Sequence, residues 1–316
     1  MNIKKIGLTA LAASLVSVSA NAGEMTVAGS ASVGVKNNAG TVGGKSITMG
    51  NQLTFSGGGE LDNGLNVALS FVLDHADNVA SGFDSHSITI SSDAMGSIVI
   101  AGDGQGNAQS ALDTTAAGDI WDNGFKSGAA ETTYTAMAGS DASTSSINYT
   151  LPSLMDDLTV KASYSAGGTS VESTTAYGIT YTGVEGLSVS YGAGEAGSTT
   201  ATSAGDVTTM KGSYAMGSFT AAYSVNEADM TTAADEEQTS WKVSYTVTDD
   251  LSVTYGEETH DTNGQSVDEE FESISVSYTT GGMTITAASI DATGLGNTSG
   301  SNNEQTRWKL GAAFAF

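Results

Sequence analysis

The sequence predicts an all-β protein, a 16-stranded antiparallel transmembrane β-barrel. Three observations carry that prediction. Short segments alternate apolar and polar residues with period two. The connections between them alternate tight and long along the chain, as in a barrel with short turns at one rim and long loops at the other. No segment after the first 22 residues reaches the roughly 18 consecutive apolar residues of a membrane helix. Composition agrees: the 316 residues include 40 Gly, one Pro and no Cys. The core of such a chain comes without disulfides, from burial or from lipid. A barrel tolerates low aliphatic content, because only one face of each strand must be apolar.

Residues 1–22 read as a secretory signal peptide. Lys4 and Lys5 form its positive end, Ile6–Val18 its short apolar core, and Ala20-Asn21-Ala22 the cleavage site. Removing it takes two of the ten basic residues, so the mature chain, residues 23–316, is more acidic than the formal −25 of the full sequence. That balance disfavours nucleic acid as a partner.

The strands follow in order. Glu24–Val35 sets Met25, Val27, Ala31, Val33 and Val35 opposite Thr26, Ser30 and Ser32. Ile47–Phe55 and Leu65–Leu73 continue the alternation and are joined at Asp62-Asn63-Gly64, a tight-hairpin signal. Ser85–Ser91 and Ser97–Gly102 turn at Asp93–Gly96. The alternation then stops from Asp103 to Ser145. Ser146–Leu151 and Leu158–Ala166 resume it around Pro152, a residue tolerated at a strand end. Four hairpins come next: 177–182 with 187–193, 207–215 with 219–225, 239–247 with 251–257, and 271–279 with 283–290. Gln305–Phe316 closes the chain.

Side chains sort by parity. Tyr164, Tyr177, Tyr191, Tyr223, Trp241, Tyr255 and Trp308 share the parity of their strands' aliphatic residues, as aromatic girdles at a membrane interface would. Lys161, Lys211, Lys242, Arg307 and Lys309 all take the polar parity. A charge facing lipid at mid-depth costs about 2–4 kcal/mol, so these five are expected on a pore wall. The long segment carries Asp103, Asp113, Asp119, Asp122, Glu131 and Asp141 against the single base Lys126.

Other motifs carry less. Gly192-x-Gly194-x-x-Gly197 follows a strand but is not followed by a helix, which a dinucleotide site needs. Asp268, Glu269 and Glu270 could hold Ca²⁺ weakly in a loop; otherwise no metal or cofactor is expected. With no Cys and no nucleophile-base or paired acid/base constellation, no enzyme is expected.

The signal peptide, the sixteen strands, the long third loop and the terminal Trp308-x-Leu310-x-Ala312-x-Phe314-x-Phe316 together resemble the general diffusion porins of Gram-negative bacteria. The run Gly96–Gly104 is similar to the start of the constriction loop in the alphaproteobacterial branch. The resemblance covers the mature chain. It implies that residues 103–145 fold into the lumen, with Asp103, Asp113, Asp119, Asp122 and Lys126 at the constriction. It implies a homotrimer in the outer membrane, surrounded by outer-membrane lipid, and a terminal Phe316 read by the barrel-assembly machinery. It implies passive diffusion of small hydrophilic solutes and ions; the chain's excess of acid over base, with acids in the third loop, predicts a preference for cations. One departure stands out: the family sets arginines of the early strands against an acidic third loop, whereas predicted strands two to six carry no Lys or Arg. A substrate-specific porin of the same fold, and a secreted surface-attached β-protein such as an adhesin or layer component, stay open as alternatives.

Overall fold

The computed structural model describes residues 25–37, 44–74, 85–103, 106–112, 115–127, 132–133, 140, 145–167, 172–196, 205–231, 233–300 and 303–316. The predicted signal peptide lies outside the described residues. Sixteen strands close into one antiparallel barrel. They are β1 (Met25–Asn37), β2 (Lys45–Glu60), β3 (Asn66–Asp74), β4 (Ser85–Ser92), β5 (Gly96–Asp103), β6 (Ser146–Thr150), β7 (Leu158–Ser165) and β8 (Thr174–Val184). The second half is β9 (Leu187–Ala196), β10 (Gly205–Met216), β11 (Phe219–Met230), β12 (Glu236–Thr248), β13 (Leu251–Thr262), β14 (Glu269–Thr280), β15 (Met283–Thr293) and β16 (Gln305–Ala315). Each strand pairs with its sequence neighbours, and β1 closes on β16 with Val33 opposite Ala312 and Lys36 opposite Lys309. No described helix is long and apolar enough to cross a membrane.

The period-two pattern becomes two faces. On one lie Ile47 and Met49, 78% and 77% exposed, with Tyr177, Tyr191, Tyr223 and Phe219 about half exposed. Leaving such side chains in water would forfeit about 1.5–3 kcal/mol each, so this outer face belongs in an apolar phase. On the other face Ser163, Thr209, Ser224 and Ser240 are buried. The tight turns sit at one rim, and glycine makes two of them possible. Gly186 has φ 77°, and a Cβ there would lie 2.3 Å from the Ala215 carbonyl. At Gly96, φ 80°, it would lie 2.3 Å from that of Thr150.

Several strands run past their predicted ends. The connections expected to be long after residues 225 and 257 shrink to 231–235 and 263–268. Polar residues beyond the apolar stretch stay in the ladder, because backbone pairing continues outside the region that demands apolar side chains. Lys36 therefore belongs to β1, and Lys45 opens β2, its ammonium 5.6 Å from the Trp308 ring centroid. The early strands thus carry two bases that the sequence had placed in a loop.

The extension also produces a rim of acids on the outer face. Glu195 stands opposite Asp206, and Asp206 opposite Asp229. Glu227 faces Glu237, which faces Asp261. Glu257 faces Glu272, which faces Asp291. Directly opposed like charges weaken a sheet.

Candidate functional site

The segment after β5 is placed by the polar face of the barrel. Asn107 starts a turn by accepting the N–H groups of Gln109 (2.9 Å) and Ser110 (2.7 Å) at Oδ1. The Ala108 N–H donates to Ser163 Oγ of β7 (2.7 Å). Gln109 Nε2 donates to Thr209 Oγ1 of β10 (2.8 Å), whose hydroxyl donates on to Asn226 Oδ1 of β11 (2.8 Å). The N–H groups of Ala116 and Ala117 donate to Ser224 Oγ of β11 and Ser240 Oγ of β12, both at 2.8 Å.

Glu258 of β13 holds the middle of the segment. Its carboxyl is 1% exposed. One oxygen accepts the Thr115 hydroxyl and the other accepts the Trp121 N–H (3.0 Å). Farther round, Arg307 of β16 donates to the carbonyls of Gly124 (2.6 Å) and Asn37 (3.0 Å), and Lys309 Nζ donates to Asn123 Oδ1 (2.9 Å). Backbone donors and carbonyls of an irregular segment need partners once they leave water, and the Ser, Thr and Glu of the wall supply them.

Small wall residues make room. A Cβ on Gly178 would lie 2.5 Å from the Ala108 carbonyl oxygen, and on Gly256 2.9 Å from Ala117 Cβ. On Gly192 it would lie 3.2 Å from Gln109 Cα, and on Gly194 2.9 Å from Ser140 Cβ. The Gly192-x-Gly194 pair is therefore wall clearance for this segment.

The predicted residues fall out as follows. Lys161 lines a cavity of about 390 Å³ with Asn107, Ser110 and Asn148. Lys309 lines another of about 440 Å³ with Lys36, Asn123, Thr48 and Thr286. Lys211 and Lys242 share the face of Thr209 and Ser240. Asp119 is half-buried, and its Oδ1 accepts the Thr115 N–H (3.1 Å), so this carboxylate caps its own turn. Asp122 is exposed. Asp113 and the side chains of Asp103 and Lys126 lie outside the described residues; the Lys126 backbone pairs with Thr133 in a short ladder. Phe316 is 73% exposed, and its N–H and carbonyl pair with Gly29 (2.9 and 2.7 Å).

Two site residues fell just outside the predicted strands. Glu258 lay one residue past the predicted end of its strand, and Lys36 lay in a predicted link. The polar parity of each was the available signal. The Ca²⁺ candidates do not converge: Glu269 is buried and accepts from Gly296 N–H and His260, whereas Glu270 is exposed on the opposite face. Among the described residues no group of three or more His, Asp or Glu is arranged to hold a metal.

A closed barrel of sixteen strands with an apolar outer face and a polar inner one defines an outer-membrane channel. The family model described as Gram-negative porin matches residues 7–316, and the chain belongs to that family. Solved structures agree in fold. OmpF of Salmonella typhi, in complex with daunomycin, superposes with a TM-score of 0.69 at 12% identity, covering 93% of this chain and 98% of that one. A loop-deletion mutant of OmpT, an outer membrane protein of Vibrio cholerae, gives 0.68 at 16%, covering 94% and 100%. An anion-selective porin from Comamonas acidovorans gives 0.65 at 15%, covering 92% and 99%. Curated protein sequences give no match. The protein is a porin of the outer membrane, and family and fold support a pore for passive diffusion. That displaces the surface-attached β-protein reading.

Proposed function

We propose that residues 106–125 form the constriction of a pore that passes small hydrophilic solutes and ions by passive diffusion, with a preference for cations. One observation carries the reading: this segment is hydrogen-bonded to the polar face of β7, β10, β11, β12, β13 and β16. A chain that touches one face of so many strands of a closed barrel occupies the space they enclose. Transport then follows from the width left open and the charge on its walls. The acidic excess of the chain and the exposed Asp122 favour cations. Lys36, Arg307 and Lys309, gathered at the β1–β16 seam, moderate the preference. The same reading has residues 1–22 removed on export, 103–145 as the constriction loop, Phe316 read by the barrel-assembly machinery, and the apolar face meeting lipid and two further copies in a trimer. No residue acts as a catalyst.

The test is the reversal potential across a planar bilayer under a salt gradient. A cation-selective potential that falls with Asp122→Lys and grows with Lys309→Glu is expected. Anion selectivity of the native channel would sink the charge argument. Saturable block by one solute class would instead mark a substrate-specific porin.

A further inference from the structure

The polar face of β14 and β15 breaks its own pattern. Phe271 and Ile290, each 1% exposed, lie on the parity that elsewhere carries Ser and Thr. With Ala292 they form one buried cluster that also takes Ile120 and Phe125 from the constriction segment and Leu295 from the connection between β15 and β16. Phe125 and Leu295 are both fully buried. The Phe125 ring centroid lies 5.6 Å from that of Phe271, and the Arg307 guanidinium 5.6 Å from the Phe125 ring.

The connection carrying Leu295 is itself pinned. The Gly296 N–H donates to Glu269 Oε1 (2.6 Å), and Glu269 Oε2 lies 3.1 Å from His260 Nδ1. The Leu295 N–H donates to the Asn303 carbonyl (3.2 Å), and Asn303 Nδ2 donates back to that of Leu295. Asn297 Nδ2 donates to the Val267 carbonyl (3.2 Å). Gly294, with φ 68°, brings its backbone so close to Asp268 that a Cβ would lie 2.0 Å from the carbonyl oxygen.

The two halves of the constriction segment are held differently. Ala108, Gln109, Ala116 and Ala117 hang on wall hydroxyls of β7, β10, β11 and β12. Residues 120–125 are held by Glu258 at the Trp121 N–H, by Arg307 and Lys309 at Gly124 and Asn123, and by the apolar cluster. β14 and β15 are closed by their own ladder and do not need Leu295 to pair.

We propose that the last external connection is an internal stop for the constriction. Leu295, buried in the same apolar cluster as Phe125, is a positioning residue that fixes residues 120–125 and so sets the width of the pore. The proposal rests on the reading of this segment as the constriction. It places control of pore size partly in a loop at the mouth, and it explains why a Leu in a Gly- and Asn-rich connection is fully buried.

The test compares Leu295→Ala, Leu295→Val, Leu295→Met, Phe125→Ala and the Leu295→Ala/Phe125→Ala double variant as single channels in planar bilayers. Each is first checked for the heat-modifiable band of a folded barrel, and Leu295→Val, which trims least, keeps the comparison available where alanine disturbs folding. Leu295→Ala should shift the conductance and raise open-channel noise several-fold. Phe125→Ala should do the same, and Leu295→Met should restore native behaviour. Because both residues act through one cluster, the double variant should be no worse than either single one. Native conductance and noise in Leu295→Ala or Leu295→Val would overturn the stop, as would additive effects in the double variant. A native chain that formed no channels would overturn the pore reading itself, a result these variants cannot mimic.

Discussion

Glu258→Ala removes the wall group that holds Thr115 and Trp121, in the middle of the proposed constriction. The carboxyl is buried and accepts two donors, the Thr115 hydroxyl and the Trp121 N–H. Each buried donor stripped of its acceptor costs roughly 1–3 kcal/mol. Part of that is offset because alanine does not have to bury a carboxyl group. A net loss on the order of 2–4 kcal/mol in the anchoring of residues 115–121 is the working value. At about 1.4 kcal/mol per factor of ten, the detached state of this turn gains roughly 30- to 1,000-fold in population. The bonds from Ala116 and Ala117 to Ser224 and Ser240 remain, so the segment should flicker rather than leave the wall. The assay is single-channel recording at fixed salt on detergent-extracted protein that keeps its heat-modifiable band. Excess open-channel noise and added conductance substates are expected, with Glu258→Gln intermediate because one acceptor oxygen survives. A Glu258→Ala channel with native conductance and noise would refute the claim that this carboxyl holds the segment.

Filling the wall should act in the opposite sense. Gly178→Val puts side-chain atoms where the Ala108 carbonyl now lies and should change the conductance while the barrel still folds, read by the same recordings. The outer acidic rim predicts a stability gain: Asp206→Asn relieves the oppositions to Glu195 and Asp229, so the unfolding temperature should rise in dilute salt. That gain should shrink at high salt, since exposed charges are screened over about 8–10 Å at moderate ionic strength; a salt-independent change would refute the electrostatic cause. Shortening the chain by Phe316 removes the pair of backbone bonds to Gly29 that ends the seam, and should lower the yield of folded barrel in the outer membrane. Equal yield would count against a terminal assembly signal.

Much of this protein was legible from local alternation. A period of two, glycines at the tight turns and aromatics on one parity depend only on near neighbours, and they were enough to place sixteen strands in order. The same rule assigned Lys161, Lys211, Lys242, Arg307 and Lys309 to the polar face without any tertiary information, because a strand has only two faces. It failed where strands outran their apolar stretch. Lys36 and Glu258 lay just beyond the predicted ends, and hydrogen-bonded pairing does not stop where hydrophobicity does.

What alternation could not reach was the meeting of residues far apart in the chain. That Asp119 turns back to cap Thr115, that Gly178, Gly192 and Gly256 are clearance, and that Phe271 and Ile290 are buried depends on where residues 106–112 and 115–125 lie. No sequence period encodes that placement. The sequence by itself determined the barrel, because pleat and lipid impose a repeating local rule. Only the tertiary structure decided the site, because an irregular segment satisfies its backbone groups with whichever wall residues closure of the barrel brings within reach.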